Sequence, residues 1–372
     1  MSRRTIRRRR AAAAVVLGAL AAAIGVHATL DDDSKSGKSG SDAGDLSISQ
    51  LAGVRLVAGF AAREPPSDLR QMIKRGELSG VVLFSNNFSD RAEARRLVRR
   101  LQSIRRPQGL RDPLLVMVDQ EGGPVKRLPG PPLASASEMG RRGASFSSRQ
   151  GRLTARNLTN AGINIDLAPV LDVGRPDGAI AGEGRSFGAS AAQVSGTAVA
   201  FARGLQAAGV AATGKHFPGL GAADVNTDVG VERIDLPTAT LRGVDEAPFR
   251  SFVAAGGELV MMSSAIYPAF SDRPAAFAHK IATGELRRRL GFDGVSVTDD
   301  LQSSAARAFG GSGRVAKAAA AAGTDLLLFR SYRAAAQAGT ALRAALRDRT
   351  LPRNEFEHSA QRVLDLRAGL RF

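Results

Sequence analysis

The chain has no cysteine and no tryptophan among its 372 residues, and aromatic residues make up only 5% of it. Without cysteine there are no disulfides and no thiolate metal sites, and sulfur says nothing about the redox compartment. Histidine is nearly as scarce, with four residues: His27, His216, His279 and His358. They are not clustered, and the paired aspartates lack a partner motif, so nothing argues for a metal. No phosphate loop or dinucleotide fingerprint occurs, because the glycine-rich stretches fall in loops without the strand–glycine–helix spacing such sites need. No cofactor is expected.

Positive charge is abundant instead. The formal net charge is +17, but the first 44 residues carry eight Lys+Arg and four Asp+Glu. The remainder has 44 basic against 31 acidic side chains, a net +13 scattered over helical stretches such as 91–106. There is no aromatic interleaving and no basic motif of the nucleic-acid type. We therefore expect a solvated, anion-attracting face and no nucleic-acid partner.

The amino end has the pattern of a targeting segment. Arg3, Arg4 and the arginines at 7–10 precede an uncharged run from Ala11 to Leu30, and Asp31 to Asp33 close it. Positive charge before such a run favours an amino-end-inside orientation, and about 20 residues suffice to span a bilayer. The run is alanine-rich, and Val26-His27-Ala28 loosely fits a cleavage site. Residues 1–30 are thus expected to be a signal peptide or membrane anchor, so that the protein is exported and then secreted or anchored. Residues 31–45, rich in Gly, Ser and Lys, are expected to be a flexible linker.

From residue 46 to 372 short apolar runs alternate with longer amphipathic ones. The runs predict strands at 54–59, 80–84, 114–118, 163–167, 210–213, 258–262, 294–298 and 325–329. Helices are expected between them, among others at 67–75, 91–104, 149–160, 192–208 and 313–322, with a last one at 354–370. Such a string fits a single-domain α/β fold, expected to be a (β/α)8 TIM barrel whose polar strand ends carry the chemistry, although an open doubly wound sheet would give a similar string.

Those strand ends bear four motifs. Gly214-Lys215-His216-Phe217-Pro218-Gly219 follows one apolar run and Thr298-Asp299-Asp300-Leu301 another. Val118-Asp119-Gln120-Glu121-Gly122-Gly123 and Arg185-Ser186-Phe187 follow two more. A strand-end carboxylate can attack an anomeric carbon, and paired aspartates raise each other's pKa. One of the pair, Asp300, is expected to cap the next helix. Glu121 reads as support for the glycine turn, and Asp166 and Asp172 as structural.

Together the motifs resemble the catalytic barrel of glycoside hydrolase family 3, closest to its single-domain β-N-acetylhexosaminidase branch. The resemblance implies that Asp299 is the nucleophile of a retaining exo-β-glycosidase. It also implies that Asp119, Arg185, Lys215 and His216 bind the sugar. The implied substrate is an N-acetylglucosamine-containing glycan or muropeptide fragment from cell-wall peptidoglycan.

The chain departs from that branch at the general acid/base. There the Lys-His-Phe-Pro-Gly turn continues with His-Gly and an Asp-x-His dyad; here it continues Leu220-Gly221, and the dyad positions read Asn226-Thr227-Asp228. The histidine after the sixth strand is also replaced, by Ser264. Three readings remain open. Asp228, or else Asp224, supplies a carboxylic acid and restores a two-carboxylate site; the acid comes from a partner or another loop, as larger family members take it from a second domain; or the barrel is a non-catalytic saccharide-binding protein.

Overall fold

The computed structural model describes residues 42–372. The expected signal or anchor, and residues 31–41 of the expected linker, lie outside the described residues. The first described element is a short turn, Ala43–Asp45. Ala43 is buried, and its N–H donates to Gln361 Oε1 at 2.9 Å.

Eight short strands form one parallel sheet: β1 (Leu56–Ala58), β2 (Gly80–Val82), β3 (Leu115–Val118), β4 (Ile165–Asp166), β5 (Ala211–Phe217), β6 (Leu259–Met262), β7 (Val295–Thr298) and β8 (Leu327–Phe329). Neighbours in sequence are neighbours in space from β1 to β7, and β8 pairs with β1 through Leu56↔Leu327 and Ala58↔Phe329. The two ends of the sheet, β7 and β8, meet at Val297↔Leu326, where Thr298 N–H donates to Leu326 O at 2.9 Å. The sheet is therefore a near-closed barrel. Every residue of these strands is buried, which is why most of them read as apolar runs, with polar side chains confined to β4, β5 and β7.

The outer helices form where an apolar stripe coincides with clear end signals. Helix Ser67–Arg75 buries Leu69, Met72 and Ile73 against the barrel. Each such side chain contributes about 1.5–3 kcal/mol. The helix has Asp68 in its first turn, Lys74 and Arg75 in its last, and stops at Gly76 with φ +72°. Helix Arg91–Gln102 is capped by Asp90 and buries Ala94, Leu97, Val98 and Leu101, while Arg91, Arg95, Arg96, Arg99 and Arg100 face solvent. The basic run is thus the outer face of an amphipathic helix. Helices Ala144–Ala161 and Ala191–Gln206 pack closely because glycines meet backbone. A Cβ on Gly151 would lie 2.1 Å from Phe201 O, and one on Gly204 2.3 Å from Ser148 O.

The structure adds helices beyond the examples expected from the pattern, among them Ile48–Val54, Ala136–Arg142, Ala247–Ala254 and Tyr332–Arg347. Strand β5 runs on to Phe217 instead of ending near residue 213. No helix among the described residues is long and apolar enough to cross a membrane.

Candidate active site

The carboxyl ends of the strands surround a cleft of about 340 Å³. All six side chains singled out from the sequence line it: Asp119, Arg185, Lys215, His216, Asp228 and Asp299. Asp224, the other acidic residue of the loop, does not.

Lys215 and His216 reach the cleft from the end of β5 rather than from a following loop. The strand continues because the segment after β4 stays alongside it: Lys215 N–H donates to Pro169 O at 3.1 Å, and Leu171 N–H to Lys215 O at 2.6 Å. The turn Phe217-Pro218-Gly219 then reverses the chain. Gly219 has φ +134°, and a Cβ there would lie 2.7 Å from the Asp245 Cβ, so only glycine fits.

Lys215 is almost wholly buried, and its ammonium sits between two carboxylates, 2.8 Å from Asp119 Oδ1 and 2.7 Å from Glu121 Oε1. Burial alone would lower its pKa, but these two anions outweigh it and the pKa is raised. Glu121 also takes a two-pronged grip from Arg185, with Nε and Nη2 each 2.8 Å from a carboxylate oxygen. Burial opposes its ionisation, yet Lys215 and Arg185 pull its pKa down to about 2. Asp119 follows the same logic: burial is overcome by Lys215 and Arg127, leaving it below the usual range. Glu121 is therefore the centre of a buried ion cluster, not a support for the glycine turn.

His216 is held by Asp172. Asp172 Oδ1 accepts the His216 N–H at 3.0 Å and the Leu220 N–H at 2.7 Å, while Oδ2 lies 2.8 Å from His216 Nδ1. A carboxylate already accepting two backbone N–H groups acts as acceptor for the ring as well, so Nδ1 donates and Nε2 remains for a ligand. Asp172 is thus structural, as expected. Asp166 is too: buried beneath the ion cluster, it accepts the Gln120 N–H at 2.9 Å, and burial pushes its pKa up to about 8.

The two aspartates after β7 have separate surroundings. Asp299 N–H donates to Met262 O at 3.1 Å, prolonging the pairing with β6, and Oδ1 accepts the Asp300 N–H at 2.8 Å. Its Oδ2 makes no hydrogen bond among the described residues. Asp300 is committed internally. Oδ1 accepts the Gln302 N–H at 2.9 Å and the Arg330 N–H at 3.3 Å, and Oδ2 pairs with Arg330 Nε at 2.5 Å. Burial is the main cause of its pKa rising to about 6; Gln302 and Arg330 oppose the rise and Asp299 adds to it. Asp300 does not cap the next helix, contrary to expectation. Ser303 does, accepting the Ala306 N–H at 3.2 Å.

Asp228 stands on the loop between β5 and β6. Partial burial of its carboxyl, reinforced by the negative charge of Asp299, raises its pKa. Its N–H donates to Asn226 Oδ1 at 3.0 Å.

Glu121, Arg127, Glu183, Asn226 and Arg330 also line the cleft and were not assigned from the sequence. Arg330 is the first polar residue after β8, a position that a strict reading of strand ends would have flagged. Glu121 has no such signal, since its partner Arg185 is brought to it across the barrel mouth, and Glu183 enters the cleft by pairing with the same Arg185 two positions on.

Residues 45–366 match the N-terminal domain of glycosyl hydrolase family 3. An uncharacterized secreted glycosyl hydrolase of Arthroderma benhamiae is 36% identical over 336 residues, 87% of this chain and 94% of the relative. A β-hexosaminidase of Tolumonas auensis is 33% identical over 281 residues, covering 74% of this chain and 82% of the relative. Among solved structures, a family 3 β-N-acetylglucosaminidase from Paenibacillus sp. FPU-7 superposes with a TM-score of 0.83 at 33% identity. That match covers 87% of this chain and 63% of the Paenibacillus chain. A β-N-acetylhexosaminidase from Beutenbergia cavernae superposes with a TM-score of 0.80 at 31% identity, over 87% of this chain and 99% of that one. The extent of these matches, together with the four motifs gathered at one barrel mouth, means that the chain belongs to glycoside hydrolase family 3.

Proposed function

We propose that the protein is a retaining exo-β-N-acetylhexosaminidase that uses Asp299 as nucleophile and Asp228 as general acid/base. The observation that carries this reading is the convergence of both carboxyls and four sugar-binding side chains on one cleft. Asp228 has a raised pKa and Asp299 an unpaired carboxylate oxygen, the division of labour a retaining pair requires.

In the first step Asp299 Oδ2 attacks the anomeric carbon as the glycosidic bond breaks, and the departing oxygen takes the Asp228 proton. The product is a glycosyl ester on Asp299 and a free aglycone. In the second step ionised Asp228 takes a proton from water, whose oxygen attacks the anomeric carbon and releases Asp299. The net change is one water added across one O-glycosyl bond with retained configuration. Asp119, Arg185, Lys215 and His216 hydrogen-bond the sugar hydroxyls and the N-acyl group. Each charged contact contributes about 1.5–3 kcal/mol.

The substrate favoured by the relatives is a β-N-acetylglucosaminide, and a cell-wall glycan or muropeptide fragment is its natural source in this reading. Export is part of the same proposal. It is supported by the arginine-flanked apolar segment at the amino end and by the description of the Arthroderma relative as secreted. The test is hydrolysis of a panel of aryl β-glycosides by the wild type, with the anomer of the first product followed by NMR. N-acetylglucosaminides should be cleaved with retention. Binding of N-acetylglucosamine without any turnover would overturn the assignment in favour of a saccharide-binding barrel.

A further inference from the structure

The loop that carries Asp228 is fastened to the same segment that carries Asp299. From Asp299 to Ser303 the chain is tied down: Asp299 N–H to Met262 O, Leu301 N–H to Leu328 O at 3.0 Å, and Ser303 N–H to Asp300 O at 3.0 Å. The short helix Ser304–Arg307 starts immediately after. The first amides of a helix have no partner inside it and must find one elsewhere. Here Ser303 Oγ takes the Ala306 N–H, while the other two reach across to the facing loop. Ser304 N–H donates to Asp228 O at 3.2 Å, and Ala305 N–H donates to Thr227 O at 3.2 Å. Thr227 and Ala305 are buried, whereas Ser304 is half-buried and Asp228 is exposed at the cleft.

We infer that the amides of Ser304 and Ala305 are positioning groups that set the separation of the two carboxyls by gripping the backbone of the Asp228 loop. The inference rests on Asp228 acting as acid/base. An aspartate carries its carboxyl directly on Cβ and has little reach, so its rotamers can only bring it to Asp299 if the backbone is already in place. A retaining pair needs its carboxyls roughly 5–5.5 Å apart, and a misplacement of about 1 Å costs on the order of 100-fold in rate. Asn226 cannot set this distance alone. Its Oδ1 accepts the Asp228 N–H from within the same loop, and among the described residues its side chain's one hydrogen bond outside the loop is a long 3.5 Å reach from Nδ2 to Glu183 Oε1. The two amides are the links that join acid to nucleophile.

Ser304→Pro removes one of these donors with little other change. Proline is well accommodated at the first position of a helix, where the N–H has no ladder partner. Ser303 already has φ −59° and ψ 159°, the extended geometry that a residue before proline adopts. For N-acetylglucosaminides with poor leaving groups, kcat should fall about 10–100-fold while KM stays within about twofold. The dinitrophenolate burst, which reports attack by Asp299 without acid help, should keep its wild-type rate. An equal loss on both substrates, or no loss on either, overturns the inference.

Amide hydrogen exchange on the wild type gives a measurement independent of any variant. The Ser304 and Ala305 N–H groups should be protected, and exchange as fast as an open loop refutes the link even if the proline variant does not fold. Asp228→Asn separates the two levels of the argument. If it leaves poor-leaving-group hydrolysis intact, the acid assignment fails and this inference with it. If it abolishes that hydrolysis while Ser304→Pro behaves as wild type, the positioning inference alone fails.

Discussion

Glu121→Gln tests whether the buried ion cluster holds the mouth of the barrel together. The wild-type carboxylate lies within 2.8 Å of both Lys215 and Arg185, and its pKa falls from an ordinary 4.5 to about 2. Burial works against that fall, so the two cations supply more than the whole of it. A difference of that size corresponds to about 3 kcal/mol of stability at neutral pH. The figure agrees with the roughly 3–5 kcal/mol lost when one partner of a buried ion pair is removed. For a barrel of this length the unfolding entropy is on the order of 0.7 kcal/mol/K, so the variant should melt about 4 °C lower at pH 7. The sign of the pH dependence follows from the lowered pKa. The stabilisation is complete above pH 4.5 and is lost as the pH falls toward 2, where wild-type Glu121 becomes protonated and resembles glutamine. The assay is thermal unfolding by far-UV circular dichroism, since the chain has no tryptophan to report by fluorescence. Equal melting temperatures at pH 7, or a gap that persists unchanged at pH 2, would refute the reasoning.

Asp299→Ala should abolish turnover and leave the melting temperature nearly unchanged; an activated fluorosugar should esterify Asp299 in the wild type, and labelling at Asp300 instead would move the nucleophile. Asp228→Asn should cut hydrolysis of poor-leaving-group substrates by about 10²–10⁴-fold, spare glycosylation by dinitrophenyl glycosides and recover deglycosylation with added azide. Because the Asp228 pKa is raised and its protonated form gives the proton, kcat/KM should fall on the alkaline side as the pH passes that pKa; a profile whose alkaline limb is unchanged in Asp228→Asn excludes it as the acid. Lys215→Ala should weaken N-acetylglucosamine binding by about 1.5–3 kcal/mol in calorimetry, and unchanged affinity would remove Lys215 from the sugar site.

The barrel strands were legible because a parallel sheet covered on both faces has no polar side to confuse the pattern. All eight expected runs contain an observed strand, trimmed by one or two residues at most ends. The exception is β5, which runs past residue 213 because Pro169 and Leu171 keep it paired while its side chains turn polar. Pairing of that kind leaves no trace in the local sequence. The site was legible wherever a polar residue stood at a strand end inside a motif, as with Asp119, Lys215, His216 and Asp299. It was not legible where a residue's role depends on a distant partner. Glu121 takes its meaning from Arg185, 64 positions away, and Asp300 from Arg330, 30 positions away.

The change at the dyad also makes electrostatic sense as a pair of changes. Exchanging the family's histidine for Asp228 alone would set a new carboxyl two residues from the dyad's own aspartate and beside Asp299. Like charges so close cannot ionise together, and the pKa values of the group would separate widely. With asparagine at 226 one of the three charges is absent, and the negative field on Asp228 comes chiefly from Asp299, with a smaller part from Asp119. The asparagine then does what an aspartate would do for the backbone, since its Oδ1 accepts the Asp228 N–H without carrying charge. Restoring the acid with Asn226→Asp should therefore raise the Asp228 pKa further and carry the alkaline limb of kcat/KM to higher pH. An unmoved limb would mean that residue 226 and the catalytic acid do not share a field.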